Sequence, residues 1–555
     1  AKVRLPKDQD QPLLFEMGSP GACAAAIADS DVPAVDRSKA IGSEFLADDG
    51  PDLPQIGELD LVRHYTRLAH RVFSVDENFY PLGSCTMKYN PRVNEKAAAM
   101  PGFAALHPCQ NEADVQGMLE LLFAVRSFLE EIAGLAEVTL QPSAGAQGEM
   151  TGLMIISAYH RSRGQPRPKV LTPDSAHGTN PASCTMCGNK ACTVKSKSDG
   201  RVDLDDLRSQ VDDQTAALML TNPNTVGVFD EQIADIADIL KSKGAQLYLD
   251  GANMNALLGI ARPGDFGVDV MHFNTHKTFS TPHGSGGPGS GPVGVAEHLQ
   301  PFLPVPQVVR RDDGTFGWDY DRPHSIGKVR SFYGQSGVLV RAYAYIRSLG
   351  ADGLLNVSRK AVLAANYLAA RLKDHYHMPF PPPYAHEFVM VPELGRKARR
   401  ERKGRRDEGT KGRRNRTATV RERPWGERQS SIVNRQSSIV NPQSPIVNPQ
   451  SAGPEGRSEE CEVTEIDIAK RLIDYGFHPP TMSWPIQHCL MIEPTETESL
   501  ATLDAFADAL LAIAEEIESD PESVRSAPHT TPVGRMDEVT ASRKPNVRWK
   551  PPTYS

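Results

Sequence analysis

The sequence predicts an α/β protein with a large domain on a mostly parallel β-sheet and a smaller C-terminal α+β domain. Short apolar runs alternate with helical patterns across residues 111–333. Strands that alternate with helices are typical of a parallel sheet covered by helices on both faces. Polar residues follow several of these runs directly, and in such sheets ligands bind beyond the carboxyl ends of the strands. A second group of patterns, in residues 334–395 and 459–555, predicts the smaller domain.

Composition limits the class of protein. The 555 residues allow three or four domains of ~100–200 residues, or two larger domains with additional segments. Lysine and arginine number 61 and the acidic residues 69, so the net charge of −8 gives no bias toward nucleic acid. The eight dispersed cysteines favour reduced thiols and a cytoplasmic location. No stretch resembles a signal peptide or a membrane-spanning helix of ~20 apolar residues, so we expect no membrane insertion.

The predicted elements begin with residues 1–110, which are rich in proline and glycine and are expected to form an extended N-terminal arm. Apolar residues then recur at helical spacing from Ala113 to Leu135, which predicts a long amphipathic helix. The strands predicted for the large domain are Glu137–Leu140, Lys169–Thr172, Ala216–Thr221, Gln246–Asp250 and Val268–Phe273. The helices predicted between them lie near Gly148–Arg161, Leu204–Val211 and Asp230–Lys241.

The C-terminal domain is predicted from two strand patterns and three helical ones. The strands are Glu387–Pro392 and Cys489–Ile492, and the helices lie near Gly334–His375, Thr464–Tyr475 and Glu498–Ile517.

A segment of different character, residues 396–458, interrupts this domain. Between Arg396 and Arg428 there are fifteen lysines and arginines against five acidic residues, and then Gln-Ser-(Ser or Pro)-Ile-Val-Asn recurs every seven residues. Because prolines interrupt these repeats, a continuous coiled-coil helix is excluded. We expect a disordered insertion. A nucleic-acid-binding or partner-binding arm is the alternative.

The first candidate site lies after the strand Glu137–Leu140. In the string Pro142-Ser143-Ala144-Gly145-Ala146-Gln147-Gly148-Glu149, small residues let backbone N–H groups and the positive end of a helix approach a phosphate. This string is therefore a candidate phosphate-binding turn. A tight turn from strand to helix, without a ligand, is the alternative.

Polar residues also follow the next two predicted strands. His177 lies in Asp174-Ser175-Ala176-His177-Gly178-Thr179-Asn180, where its imidazole could lie flat on an aromatic ring. A capping or packing histidine is the alternative. Asn222, in Asn222-Pro223-Asn224-Thr225, could donate a hydrogen bond to a phenolic oxygen of the same ligand, although this motif alone is typical of a turn.

Asp250 and Lys277 give these positions a common chemistry. Asp250 ends an apolar strand and needs a cationic partner, such as a protonated pyridine nitrogen. Lys277 stands between the strand Val268–Phe273 and a glycine-rich stretch, where its amine can form an imine with a carbonyl cofactor. A fold-type I enzyme with pyridoxal 5'-phosphate as cofactor has a phosphate turn, a histidine, an aspartate and a lysine at successive strand ends. This sequence has the same layout.

Four strings resemble the P-protein family of the glycine cleavage system in its two-subunit bacterial form. They are Ser175-Ala176-His177-Gly178-Thr179-Asn180-Pro181, Asp250-Gly251-Ala252-Asn253-Met254-Asn255-Ala256, Asn274-Thr275-His276-Lys277-Thr278-Phe279 and Pro528-His529-Thr530-Thr531-Pro532-Val533. The resemblance runs from about Leu14 to Trp549 apart from the insertion. It implies that Lys277 holds the cofactor, Asp250 pairs with the ring nitrogen and His177 stacks on the ring. It also implies that Thr275, with the residues of the turn, lies near the phosphate.

The resemblance further implies an activity and its partners. The family decarboxylates glycine and transfers the aminomethyl group to the lipoyl disulfide of the H-protein, as a heterotetramer of two copies each of subunits 1 and 2. Lys277 and the neighbouring His276 are both candidate proton carriers, and the sequence does not decide between them. The cysteines Cys184, Cys187 and Cys192 lack a second ligand pair, so we expect no metal site.

Two other functions are compatible with parts of the sequence. An aminotransferase or another amino-acid decarboxylase would use the same lysine and aspartate. A scaffold or nucleic-acid binder would act through the basic insertion and would bind no cofactor.

Overall fold

The computed structural model describes residues 12–24, 31–47, 53–283, 289–392 and 463–547. It divides into two compact units, one of Ala1–Glu77 with Thr530–Ser555 and one of Asn78–His529. The helices described in the first unit are α1 (Leu14–Met17), α2 (Arg37–Ile41), α3 (Glu58–Ala69) and, near the C-terminus, α15 (Glu538–Arg543). The predicted insertion lies outside the described residues.

The second unit is built around a large, mostly parallel sheet. Its strands are β1 (Glu137–Thr139), β2 (Lys169–Pro173), β3 (Lys190–Val194), β4 (Thr215–Thr221), β5 (Gln246–Gly251), β6 (Val270–Phe273) and β7 (Val293–Val295). The strand order is β1-β7-β6-β5-β4-β2-β3. Strands β3, β2, β4, β5 and β6 pair in parallel, whereas β7 is antiparallel to both β6 and β1. The carboxyl ends of the parallel strands therefore share one edge.

Helices cover both faces of this sheet. The helices are α4 (Arg92–Ala98), α5 (Pro101–Ala104), α6 (Gln116–Ala133), α7 (Gly145–Ser162), α8 (Thr179–Met186), α9 (Leu204–Gln210) and α10 (Ile233–Ser242). One apolar cluster joins α6 and α10 to the sheet, and another joins α7 to the opposite face. Strands β2, β4, β5 and β6 are buried on both faces, which explains why their sequences are nearly continuous apolar runs.

A long helical stretch leads to the smaller sheet. Helix α11 (Ser336–Leu372) is interrupted at Gly350, whose φ of 61° is left-handed. The small sheet has the order β10-β11-β13-β12, with β10 (Tyr376–His377), β11 (Phe388–Pro392), β12 (Thr481–Met482) and β13 (Leu490–Ile492). It packs with α11, α12 (Glu465–Asp474), α13 (Leu500–Ser519) and α14 (Pro521–Ser526) in one apolar cluster. A separate hairpin joins β8 (Gln307–Arg310) and β9 (Phe316–Asp319).

The predicted strands and helices outside the N-terminal arm are confirmed, with ends that differ by a few residues. The elements of this region that were not predicted include β3, β7 and the hairpin, the short strands β10 and β12, and the short helices α8, α14 and α15. Strand β3 is at the sheet edge and is mostly half-exposed, and β7 has three residues, so neither produces a long apolar run. The domain boundaries expected from the sequence stay predictions. None of the helices in the described ranges is both long and apolar enough to span a bilayer.

Candidate active site

A cavity of about 740 Å³ lies at the carboxyl edge of the large sheet and opens to solvent. Six of the predicted site residues line it, namely Gly145, Ala146, His177, Asp250, His276 and Lys277. They come from the start of α7, the loop after β2, the end of β5 and the loop after β6. The topology of the sheet therefore brings together side chains that are up to 132 positions apart in the chain.

The phosphate turn predicted from the sequence is the N-terminus of α7, which begins at Gly145. No side chain of the N-cap residue Ala144 caps this helix, so its first N–H groups are free to face an anion. Gly145 is required for packing because a Cβ atom there would lie 2.6 Å from Nδ2 of Asn274. The oxygen Oδ1 of Asn274 is buried and has no hydrogen-bond partner among the described residues.

Asp250 is held in its ionised form at the end of β5. Its carboxylate accepts hydrogen bonds from Nδ2 of Asn180 at 2.9 Å and from the N–H of Ala252 at 3.0 Å. Nε2 of His272 lies 3.3 Å from Oδ1 of Asp250. Burial alone would raise the pKa of Asp250, but His272 and these donors outweigh burial and hold the pKa below its ordinary value.

His177 faces the cavity from the loop after β2. Its Nδ1 lies 2.8 Å from the hydroxyl of Thr179 and accepts a hydrogen bond from the N–H of the same residue at 3.2 Å. The ring of Trp484 contacts it edge-on, with centroids 5.2 Å apart. Burial lowers the pKa of His177, which keeps the ring neutral near neutral pH. A neutral ring held at one edge leaves its face available to a flat ligand.

The amine of Lys277 donates a hydrogen bond to the carbonyl oxygen of Ser84 at 2.6 Å. Ser84 belongs to a loop that pairs with strand β13, since the N–H of Gly83 donates to Met491 and the N–H of Glu493 donates to Pro81. The small sheet therefore positions the group that orients the lysine.

His276 is less suited to carry protons than its position in the sequence indicates. Its Nδ1 accepts a hydrogen bond from the N–H of Ser290 at 3.4 Å, and His283 contacts it edge-on. Burial, followed by the nearby His283 and Lys277, lowers the pKa of His276 to about 3. The neutral ring lines the cavity but does not readily take up a proton.

The other three predicted residues do not line the cavity. Ser143 donates from its N–H and hydroxyl to Oε1 of Gln147, and Asn222 bonds through both side-chain atoms to the backbone of Asp230. Thr275 is fully buried, and its hydroxyl has no hydrogen-bond partner among the described residues. The structure therefore supports a turn-stabilising role for Asn222, which was the alternative.

The sequence interpretation missed several residues of the cavity. Glu149 accepts hydrogen bonds from the hydroxyls of Thr179 and Ser183, and burial and then the charge of Asp250 raise its pKa. His386 and Glu387 also line the cavity and directly precede β11. Both stand at the amino end of a strand, so the signal that identified Asp250, a polar residue at a carboxyl end, does not find them.

Together these groups place an amine, an ionised carboxylate, a neutral imidazole and a helix N-terminus around one space. The amine can condense with a carbonyl compound, and the carboxylate can pair with a cationic ring. The helix N-terminus can receive an anion.

Comparison with known proteins identifies the family. The profile of the glycine cleavage system P-protein matches residues 36–312, and that of the glycine dehydrogenase C-terminal domain matches residues 455–530. A probable glycine dehydrogenase (decarboxylating) subunit 2 of Bacillus licheniformis is 50% identical over 546 residues, which cover 98% of this chain and 99% of the relative. The protein of the same name from Halalkalibacterium halodurans is 48% identical over 546 residues, with 98% and 99% coverage.

Solved structures show the same fold at lower identity. A glycine decarboxylase (P-protein) in inhibitor-bound form has a TM-score of 0.63 and 19% identity, and the match covers 86% of this chain and 94% of that one. A sphingosine-1-phosphate lyase of Burkholderia pseudomallei has a TM-score of 0.57 and 14% identity, with 88% and 97% coverage. The expected fold-type I architecture is thereby confirmed. With relatives of this identity along nearly its whole length, the chain belongs to the P-protein family of the glycine cleavage system, among the proteins named subunit 2 of glycine dehydrogenase (decarboxylating).

Proposed function

We propose that this chain binds pyridoxal 5'-phosphate, decarboxylates glycine and transfers the aminomethyl group to the lipoyl disulfide of the H-protein. The observation that carries the proposal is that Lys277 and Asp250 line one cavity together with the uncapped start of α7. Its relatives are named glycine dehydrogenase (decarboxylating), and that activity fits these groups.

The residues present fit the cofactor on three counts. The uncapped N–H groups at Gly145 and Ala146 suit a phosphate. The amide oxygen of Asn274, which lines the cavity, is buried without a hydrogen-bond partner among the described residues, as expected of a site that holds a polar ligand. Asp250 is buried and ionised, which suits a protonated ring nitrogen.

Each residue then has a role that follows from its position. Lys277 holds the cofactor through its amine, Asp250 keeps the ring nitrogen protonated, and His177 supports the ring face. Lys277 is oriented by Ser84 when it is not bonded to the cofactor. When bound, pyridoxal phosphate supplies a ring that accepts the electron pair left when the carboxylate of glycine departs as carbon dioxide. Buried walls limit the entry of water, which would protonate the carbon before it reaches the sulfur of the lipoyl group.

The relatives' designation as subunit 2 supports a partner subunit, and we propose the heterotetramer expected for the family. We also propose that the reaction takes place in the cytoplasm.

The test replaces Lys277 with alanine in the chain co-expressed with subunit 1. Lys277→Ala is expected to lose the yellow absorbance of the bound cofactor and the exchange of labelled bicarbonate into glycine in the presence of H-protein. The matched control is Lys360→Ala, an exposed lysine on α11. Retained absorbance in Lys277→Ala would refute the role of this lysine.

The two rival functions give different results in the same assay. A wild-type protein that is yellow but does not exchange bicarbonate into glycine would indicate an aminotransferase or another decarboxylase. A wild-type protein with no cofactor absorbance would indicate a scaffold or nucleic-acid binder.

A further inference from the structure

Three buried acid–base side chains meet beside the cavity that holds Lys277, and two of them, His386 and Glu387, line it. The three are His386, Glu387 and Glu493, which are 2%, 3% and 0% exposed. One ligand atom of each lies within 4.8 Å of the others. The function proposed above uses none of them. Burying two carboxylates is costly unless their charges are compensated, so this cluster requires an explanation.

The hydrogen bonds of the two carboxylates are unequal. Glu493 accepts from the hydroxyl of Thr86 at 2.8 Å and from the side-chain amides of Asn253 and Asn255 at 2.8 and 2.9 Å. Glu387 accepts from the N–H of Ser84 at 2.7 Å, and no side chain among the described residues donates a hydrogen bond to it within normal distance. Burial raises the pKa of Glu493 as well, but its three donors oppose this effect. Because donors stabilise the ionised form of a carboxylate, they favour Glu493 as the anion of the pair.

The proton of the pair therefore resides on Glu387. Two carboxylates this close in a buried site do not both ionise. Burial, followed by the charge of Glu493, raises the pKa of Glu387 to about 8. Burial lowers the pKa of His386 to about 3, so this neighbour is neutral and does not remove the proton.

The surroundings of the pair include other titratable groups. Lys277 faces both carboxylates and favours their ionised forms. His283 and Cys85 lie near Glu493, and burial lowers the pKa of the histidine and raises that of the thiol. Both are therefore uncharged near neutral pH, and Lys277 is the cation that faces the pair among the described residues.

We propose that Glu387 is the proton-transfer residue of this site, which exchanges protons between the incoming amino acid and Lys277. The proposal rests on the function proposed above. Ser84 joins the two side chains, since its N–H donates to Glu387 and its carbonyl oxygen accepts from Lys277 at 2.6 Å. Glu387 lines the same cavity as Lys277, so it is accessible to a substrate there.

The protons balance in this exchange. An amino acid arrives as an ammonium ion, and its nitrogen must lose a proton before it can form a bond to carbon. The nitrogen of Lys277 must gain a proton when its own bond to carbon breaks. Glu387 first gives its proton to the nitrogen of Lys277 while that nitrogen is still bonded to carbon, and the resulting carboxylate then takes a proton from the ammonium group, whose nitrogen can now bond to that carbon. A second proton passes from the amino group to Lys277 through the same carboxyl group as the bond to Lys277 breaks. The amino group thus loses two protons, Lys277 gains two and leaves as a neutral amine, and Glu387 ends protonated. The charge of the protein site is then restored, and no electrons are transferred.

A divalent cation is the other occupant that a histidine and two carboxylates could hold. Three side chains already donate hydrogen bonds to Glu493, and a lysine faces the pair. Donors and a positive charge oppose a metal ion but are compatible with a shared proton.

The test compares Glu387→Gln with Glu131→Gln in the complex with subunit 1. Glutamine keeps the size and can accept the hydrogen bond from Ser84, but it cannot exchange a proton. Glu131 is the matched control because its side chain on α6 is 79% exposed. The first measurement is the rate of the spectral change that glycine produces in the cofactor-loaded protein. We expect Glu387→Gln to lower this rate by about 10²-fold or more, with glycine affinity little changed.

The second measurement uses the cofactor-free protein. A protonated carboxylic acid gives an infrared carbonyl band. At neutral pH we expect this band in the difference spectrum of the wild type minus Glu387→Gln, and not in that of the wild type minus Glu131→Gln. If Glu387→Gln proves unstable, Glu493→Gln replaces it, because loss of the charge of Glu493 lowers the pKa of Glu387, so that the band disappears at a lower pH than in the wild type. A band that persists in Glu387→Gln, or that disappears at the wild-type pH in Glu493→Gln, overturns the proposal, as does a wild-type reaction rate in Glu387→Gln.

Two further outcomes are distinguishable. A stoichiometric metal ion, with activity that is lost on chelation, overturns the proton assignment in favour of a cation site. A wild-type protein that shows the expected infrared band but no spectral response to glycine refutes the proposed function and the transfer step. The protonated state of Glu387 would then still be supported.

Discussion

Replacement of Gly145 by alanine tests the proposed phosphate site without changing any charge. The added Cβ atom would lie 2.6 Å from Nδ2 of Asn274, closer than side-chain carbon atoms approach such groups. Either the start of α7 or the side chain of Asn274 must move, and overpacking of this kind costs about 1–3 kcal/mol. Because both groups line the cavity, either movement changes the part of it that would hold the phosphate.

The expected result is weaker cofactor binding. At about 1.4 kcal/mol for each tenfold change in affinity, a loss of 1–3 kcal/mol corresponds to a 5- to 150-fold higher Kd. The assay is titration of the cofactor-free protein with pyridoxal phosphate, followed by absorbance, with thermal unfolding measured in parallel.

The matched control is Gly117→Ala, in the first turn of the equally long helix α6. No heavy atom would lie within 4 Å of a Cβ atom at Gly117, so this substitution is expected to stabilise the helix by about 0.5–1 kcal/mol. Unchanged cofactor affinity in Gly145→Ala would refute the proposal that this turn holds the phosphate.

Two more predictions concern stability. The pKa of Glu387 is raised from an ordinary 4.5 to about 8, so its contribution to the stability of the folded protein is complete below pH 4.5 and is lost as the pH rises to about 8. Urea denaturation of the cofactor-free protein measures the free energy of unfolding at each pH. Between pH 4.5 and 8 this free energy should fall in the wild type relative to Glu387→Gln, by on the order of 3–5 kcal/mol. Parallel plots of unfolding free energy against pH for the two proteins would contradict the raised pKa. Deletion of residues 397–458 should leave the melting temperature and turnover nearly unchanged, because each doubling of loop length costs only about 0.6 kcal/mol; loss of folding or activity would contradict this.

The large domain was predictable because its strands are buried on both faces. Runs such as Ala216–Thr221 and Gln246–Asp250 are apolar between their ends, and the structure places both in the centre of the sheet. The order of the strands was not predictable from these runs. Strand β7 pairs with β1 on one side and with β6 on the other, although β1 is the first strand of this sheet in the chain and β7 is the last. Strand β7 has only three residues, which follow a glycine-rich stretch and form no recognisable strand pattern.

The residues of the site also divide into those that the sequence predicts and those that it does not. Asp250 and Lys277 could be found because each follows a long apolar strand, and the rule that ligands bind at carboxyl ends applies to both. Ser84 could not be found in this way, because its contact with Lys277 uses a backbone carbonyl and carries no side-chain signal. Asn222 was predicted to face the ligand because it is polar and stands at a strand end. Its side chain instead bonds to the backbone of Asp230 and does not line the cavity.

The cluster around Glu387 shows how the two sheets divide the chemistry of the site. Groups proposed to hold the cofactor come from the large sheet, where α7, β5 and the loop after β6 fix them. His386 and Glu387 precede β11 and Glu493 follows β13, and these two antiparallel strands are adjacent in the small sheet. Phe388 pairs with Ile492, so the residues that flank this pair, Glu387 and Glu493, are brought together by the register. A one-residue slip between these strands would separate the two carboxylates and remove the proton that they share. The pairing of strands in the small sheet is therefore as important to the proposed reaction as the strand ends of the large sheet.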